Sequence, residues 1–398
     1  MPAPTLASPR AVAAVTIAFI ANGTGVGVMG GLVPTLTDRM HTDAQGIGLL
    51  LVCFGISAIA GINLGGRLSD SHGAIRPIQA GLLVMAVGAV LVSCSTSLSV
   101  GLLLGLVYGF GNGMTDVSMN AMAVQVERAR PRPLMSRFHA SFSIGTFVGA
   151  GVVLVMGAVL STHAALTIGG LSLAAAVLVA AAAGVERYAV QTQVVHHLEA
   201  DGRRTSIPKA AWILAVMAIC FAITEGTATD WSAVHVSDVA HVSTAAGAWG
   251  LACVSAFMVI VRLLGDHIVH RMGRRAVVRW GGALAVVGYL VGVLAHPLPL
   301  LLVGWCIVGA GVALIAPQIY GLAGQAGGGR TLSVVVTTGY AAFLVGPGLM
   351  GTLVHRFGVQ DALIFPLVLG ISLSAMSLVM PTERDLAPVG MSGRASET

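Results

Sequence analysis

The stretch Ala11–Val33, AVAAVTIAFIANGTGVGVMGGLV, holds 23 residues and no charge. At 1.5 Å per residue such a helix is about 35 Å long, enough to cross a hydrocarbon core of about 30 Å. The apolar region of a removable export leader is only about 7–15 residues, so this stretch reads as a retained span. Similar runs recur to the end of the chain. Of the 398 residues 56% are hydrophobic and 9% charged, with a mean hydropathy of +0.89. Soluble domains carry about 25% charged residues, so this composition excludes an ordinary soluble enzyme. Disorder is excluded by the excess of apolar surface. The net charge of +5 gives no nucleic-acid signal, because the basic residues sit in short loops between apolar runs.

The runs are too long and too little alternating for barrel strands, so helices must satisfy the backbone in lipid. We predict an all-α membrane protein with twelve transmembrane helices, near 11–36, 45–68, 76–96, 99–126, 134–160, 163–184, 210–234, 243–270, 275–295, 298–323, 331–354 and 360–381. Alternate loops collect Arg: Arg67 and Arg76; Arg128, Arg130, Arg132 and Arg137; Arg187, Arg203 and Arg204 with Lys209; Arg271, Arg274, Arg275 and Arg279; then Arg330, Arg384 and Arg394. The opposite loops hold only Arg39 and Arg356. Positive loops stay in the cytoplasm, which places both termini there and the chain in the cytoplasmic membrane.

The chain also repeats. An offset of 200 residues aligns Gly65 with Gly265, Gly73 with Gly273, Gly109 with Gly309 and Gly111 with Gly311. Two pseudo-symmetric six-helix halves follow, residues 1–184 and 210–381, joined by a cytoplasmic linker, 185–209, and followed by a tail, 382–398. Six is even, so both halves enter from one side, and the repeat interface at the midplane is the expected binding place.

Polar groups at lipid depth mark function. Asn112, Asp116 and Asn120 form a row at i, i+4 and i+8, beside a glycine face (Gly101, Gly105, Gly109, Gly113) that lets a neighbouring helix approach closely. His139 and Ser143 enter at matching depth, so Asp116, Asn120, His139 and Ser143 form one candidate cluster. The plainer readings are a structural acid and an interfacial histidine. In the second half Glu225 lies a turn past mid-helix, in a Thr- and Gly-rich stretch expected to bend. Asp230 approaches the outer surface, where a solvated helix end is an equal reading. Trp231 reads as an interface anchor, with stacking on a sugar ring as the alternative. Asn22-Gly23-Thr24 aligns with Glu225-Gly226-Thr227, which adds Asn22. Ala316-Pro317-Gln318 aligns with Asp116-Val117-Ser118, so the acid exists in one half only; Pro317 is expected to kink its helix, and Gln318 joins the binding candidates.

No cofactor or metal is expected. Gly23-x-Gly25-x-Gly27 lacks a preceding strand, and Gly327-Gly328-Gly329-Arg330 lacks the Lys of a phosphate loop. Asp266, His267 and His270 have no accompanying ligand cluster. The five cysteines read as buried small hydrophobes.

The segment Gly66-Arg-Leu-Ser-Asp70-Ser-His-Gly73-Ala-Ile-Arg76 resembles the loop signature of the major facilitator superfamily. Arg262-Leu-Leu-Gly265-Asp266 through Arg271-Met-Gly273-Arg274-Arg275 resembles a degenerate second copy. Gly113-Met-Thr-Asp116-Val-Ser-Met-Asn120, Met135 to Gly145 and Glu225 to Ser232 are similar to the fucose-permease-like and YbjJ-like bacterial branch. The resemblance covers nearly the whole chain. It implies that Gly66, Asp70, Gly73, Arg76, Arg262, Asp266 and Arg271 gate access, with a solvated charged turn as the plainer reading for Asp70. It also implies a carrier activity, often proton-linked sugar uptake.

The expected function is therefore secondary active transport of a small organic solute, sugar-like and proton-coupled, by alternating access. The partners are the solute, protons and the lipid bilayer, with no nucleic acid, and the chain is expected to act as a monomer. A drug or metabolite exporter is the first alternative and a non-transporting membrane sensor the second.

Overall fold

The computed structural model describes residues 6–130, 134–187 and 209–381. Residues 188–208 of the predicted 185–209 linker and the 382–398 tail lie outside them. Among the described residues twelve helices are long and apolar enough to span a bilayer. They are α1 (Pro9–Gly31), α2 (Ala44–His72), α3 (Ile75–Ser93), α4 (Leu98–Glu127), α5 (Arg137–Gly157) and α6 (His163–Val185). The second set is α7 (Ala211–Val239), α8 (Thr244–Leu263), α9 (Arg274–Leu294), α10 (Leu298–Ala323), α11 (Val334–Phe357) and α12 (Val359–Met376).

Two predicted spans are shorter than expected because the chain turns within them. The first ends at Gly31, and Val33–Arg39 continues as a separate short helix. The eighth ends at Leu263, and Gly265–Met272 forms another. The seventh differs in the opposite sense. It runs without a break to Val239, and the Thr224 and Thr227 hydroxyls donate to carbonyls four residues back, at 2.7 and 2.8 Å.

The halves are copies in detail. Gly73 and Gly273 end equivalent helices at φ of 81° and 76°, a left-handed turn that glycine adopts without a Cβ penalty. His41 and His241 share φ of 49° and 52° at the matching turn. Each half has its own apolar core, one built mainly from α1–α6 and the other from α7–α12. Large apolar side chains such as Leu83, Val87, Trp280, Leu284, Val368 and Ile371 point outward from α3, α9 and α12, as a lipid-facing surface requires.

Close approach explains the glycines of α4. A Cβ on Gly109 would stand 2.1 Å from the Phe54 carbonyl oxygen, and one on Gly113 the same distance from that of Ala58. Gly309 meets the Val254 carbonyl in the same way, 200 residues on. Backbone touching backbone leaves no side chain that can yield. Gly109→Val is therefore expected to cost about 3 kcal/mol, the upper end for overpacking. Gly151 has open space around it, so Gly151→Ala should be neutral or slightly stabilising. Thermal unfolding of the two purified variants in detergent checks the contrast.

Candidate functional site

A cavity of about 270 Å³ lies between the halves at mid-depth. Its walls come from α4, α5, α7, α8, α10 and α11. Glu225, the central residue of α7, faces it with Asp116, His139, Ser143 and Arg262. Phe142, Phe221 and Phe343 supply apolar walls, with Tyr320 and Tyr340 between.

Arg262 organises this space. Its Nη2 donates to Glu225 Oε1 at 3.1 Å, an ion pair whose side chains are only 11% and 14% exposed. Its Nη1 donates to Ser143 Oγ at 2.6 Å and to the His139 carbonyl at 3.4 Å. Its Nε donates to the Ala313 carbonyl at 3.2 Å. A buried charge is tolerated only when paired and hydrogen-bonded, and the fork of the guanidinium meets that demand from three directions.

The Ala313 carbonyl is free for a reason written in the sequence. In a regular helix it would accept from the N–H of residue 317, but Pro317 has none and its ring clashes with that carbonyl. The helix accordingly stops at Val312 and resumes at Ile315. The break expected at Pro317 thus serves α8, because it exposes an acceptor to Arg262.

Asp116 is the second centre. Its Oδ1 accepts from Asn120 Nδ2 at 3.2 Å, and its Oδ2 accepts from the Tyr340 hydroxyl at 3.1 Å. Both centres join the halves, Arg262 from α8 to α5 and Tyr340 from α11 to α4. Asp116, Asn120, His139 and Ser143 are brought together as the spacing suggested, Asn120 through its bond to Asp116.

Several expectations change. Arg262, expected at a gate, lies in the cavity. It sits one position before the end of α8, not in the loop whose motif it was grouped with. Asp230 is not at a solvated helix end: α7 continues nine residues past it, and it lines a second cavity of about 170 Å³ with Asn112. Trp231 is 1% exposed and belongs to the apolar core, so it anchors no membrane interface. Gln318 is buried away from the cavity and accepts from Arg274 Nη1 at 3.3 Å; Ala316 takes the lining position. Asn22 is buried, its amide nitrogen 3.8 Å from the Met119 sulfur. Of the expected gating residues, Gly66 and Asp70 lie near the end of α2 and are half-buried. Gly73 is buried, whereas Arg76, Asp266 and Arg271 are exposed.

Sequence reading missed Tyr340, Tyr320 and a buried brace behind α7. In that brace Tyr289 donates to the Thr224 carbonyl at 2.5 Å. Trp305 Nε1 donates to His235 Nδ1 at 3.2 Å, and His235 Nε2 faces the Gly292 carbonyl at 3.1 Å. An indole only donates, so His235 is neutral with its proton on Nε2. The signal for Arg262 was available: it is the one charge in the apolar run Trp249–Leu264.

The Major Facilitator Superfamily model matches residues 15–274. The chain belongs to the major facilitator superfamily. An uncharacterized transporter of Sinorhizobium fredii (strain NBRC 101917 / NGR234) is 30% identical over 349 residues, 85% of this chain and 90% of that protein. An uncharacterized MFS-type transporter of Yersinia pestis is also 30% identical, over 84% of this chain and 86% of its own length. Among solved structures, a variant of the nucleoside transporter NupG superposes with a TM-score of 0.75 at 12% identity, covering 93% of this chain and 99% of that one. A bacterial homolog of the human lysosomal transporter Spinster, in an inward-facing and occupied conformation, gives a TM-score of 0.68 at 14% identity, over 92% and 95%. The protein is a membrane transporter of this superfamily.

Two sets of variants test the site. Glu225→Ala strands the buried guanidinium and is expected to cost about 3–5 kcal/mol, whereas Glu225→Gln combined with Arg262→Gln recovers most of that loss. Thermal unfolding of single and double variants measures the difference. Pro317→Ala restores a donor to the Ala313 carbonyl, which then competes with Arg262. Transport turnover should fall several-fold at unchanged folded yield, and Pro317→Gly, which also supplies an N–H, should fall with it.

Proposed function

We propose that this carrier moves a small, polar, sugar-like solute across the cytoplasmic membrane by alternating access, with protons as the coupling ion. The observation that carries the proposal is the pair of polar bonds joining the halves inside one cavity, Arg262 to Ser143 and Tyr340 to Asp116. Each holds only at one mutual angle of the halves. When the halves rock, Asp116 loses the Tyr340 hydroxyl and Arg262 loses Ser143, and water or solute hydroxyls take their places. Formal charges support proton coupling. The cavity holds one cation, Arg262, against Glu225 and Asp116, and one bound proton restores neutrality before the site closes.

The asymmetric Arg distribution supports cytoplasmic termini. On the Arg-poor face the halves meet through Thr35 and Thr244 at 3.2 Å, through Asp43 and His355 at 2.9 Å, and where Gly48 lies against Pro347. These contacts support a state closed to the outside. Gly66, Asp70, Gly73 and Arg76, with Asp266 and Arg271 in the other half, then form the inner gate. A single chain contains both halves and acts as a monomer.

A ligand-stabilisation screen on purified protein supplies the solute, and proteoliposomes with an imposed pH gradient supply the test. Glu225→Gln and Asp116→Asn mimic the protonated forms. One of them is expected to abolish gradient-driven accumulation while retaining solute exchange. Accumulation by both, with unchanged pH dependence, overturns coupling through these acids.

A further inference from the structure

The 170 Å³ cavity lies about one helical turn nearer the Arg-poor face than Glu225 and Asp116, and it shares the walls Thr229 and Phe343 with the larger one. Its chemistry is different. Its lining contains no Arg, Lys or His, yet it carries the half-buried carboxylate of Asp230. Among the described residues Asp230 makes no ion pair. The neighbouring Thr229 hydroxyl turns back to its own helix, donating to the Glu225 and Gly226 carbonyls at 3.3 and 3.0 Å. Glu225, five residues earlier, has a guanidinium, and Asp116 has an amide and a phenol. Asp230 has no such partner among the described residues.

The neighbours add acceptors rather than cations. Among the described residues Asn112 Oδ1 and the Tyr108 hydroxyl are both buried with no hydrogen-bond partner, and Tyr108 is only 4% exposed. Unbonded buried polar atoms are costly and call for a partner. The rings of Phe54 and Tyr108 pack at 5.2 Å between centroids and line this space with Phe343. A carboxylate, an amide oxygen, a phenol and aromatic faces together form an environment suited to an organic cation.

We propose that this compartment binds a protonated amine of the solute, with Asp230 as its counter-ion and the Phe54 and Tyr108 rings beside it. The inference rests on the carrier reading and narrows its solute to an amine-bearing polyol, the hydroxyls lying in the larger cavity and the ammonium in the smaller. Arg262 is already matched by Glu225, so the added cation meets an unmatched acid.

Matched probes test this without an identified substrate. Glucosamine is compared with glucose, and ethanolamine with ethylene glycol, by thermal stabilisation of the purified full-length protein at a pH where the amines are charged. The amine member of each pair is expected to bind about tenfold tighter, equivalent to one hydrogen-bonded charge pair. Asp230→Asn is expected to erase that preference, and Tyr108→Phe to reduce it. Equal binding within the pairs, no binding by either amine, or a preference that survives Asp230→Asn overturns the proposal. Because the wild-type comparison needs no variant, poor folding of Asp230→Asn does not shield it. Gradient-driven flux is read separately, so a carrier that is proton-coupled but indifferent to amines is told apart from a protein that does not transport.

Discussion

Everything in the middle of this protein depends on placing one guanidinium at lipid depth. Arg262 cannot shed its proton, so its charge must be met where it stands. A single carboxylate is insufficient, since the guanidinium has five N–H groups and Glu225 takes one end of the fork. The remainder draw on Ser143, a carbonyl of α5 and a carbonyl of α10. That requirement fixes α5, α7, α8 and α10 relative to one another. It also accounts for a proline in α10 at a position where an unbroken helix would have kept its carbonyl to itself.

Around the central cavity two helices treat their backbone ladders differently. α7 runs unbroken past three threonines and a glycine around Glu225, and those hydroxyls donate to carbonyls of the same helix. α10 gives up its ladder at Ala313 and is repaid by a charged donor from α8. The glycines do a different job, bringing α4 against α2 until backbone meets backbone. On the proposed alternating-access reading, a close, rigid half would let a small change at the central cavity be expressed as rotation of six helices together, because packed interiors do not deform continuously.

The legible part of the sequence was the part governed by composition along the chain. Length and apolarity gave twelve spans, and the 200-residue offset recurs as paired left-handed turns at Gly73 and Gly273. Depth was legible by counting, which is why Asp116, Asn120, His139 and Ser143 meet. Azimuth and exact helix ends were not. Each residue turns a helix by about 100°, so Gln318 faces Arg274 while Ala316, two residues earlier, faces the cavity. Apolarity alone ends the seventh span near residue 234, which makes Asp230 and Trp231 terminal, whereas α7 runs five residues further to Val239. Arg262 was grouped with the charges after it because proximity in sequence is visible, whereas its partners on α5 and α10 are more than 50 positions away.

The two halves, equal in fold, are unequal in charge, and the inequality has a direction. Asp116 has Ala316 as its counterpart by the offset of 200, so the N-terminal half contributes an acid at a position where the other contributes a methyl group. The second half contributes Glu225 and Asp230 on α7 and a single Arg262. Across both compartments there are three carboxylates and one guanidinium, with His139 beside them, and that guanidinium has its donors engaged by protein oxygens. A solute bearing two negative charges finds no uncommitted cation there and meets unshielded carboxylates instead, at a depth where screening by salt is weak. A neutral polyol meets acceptors and aromatic faces, and each added positive charge, whether a proton or an ammonium, brings the compartments toward neutrality. On the proposed reading, selection against anions and the need for a bound proton therefore have one origin: an excess of acid over base on helices that the fold holds at the midplane.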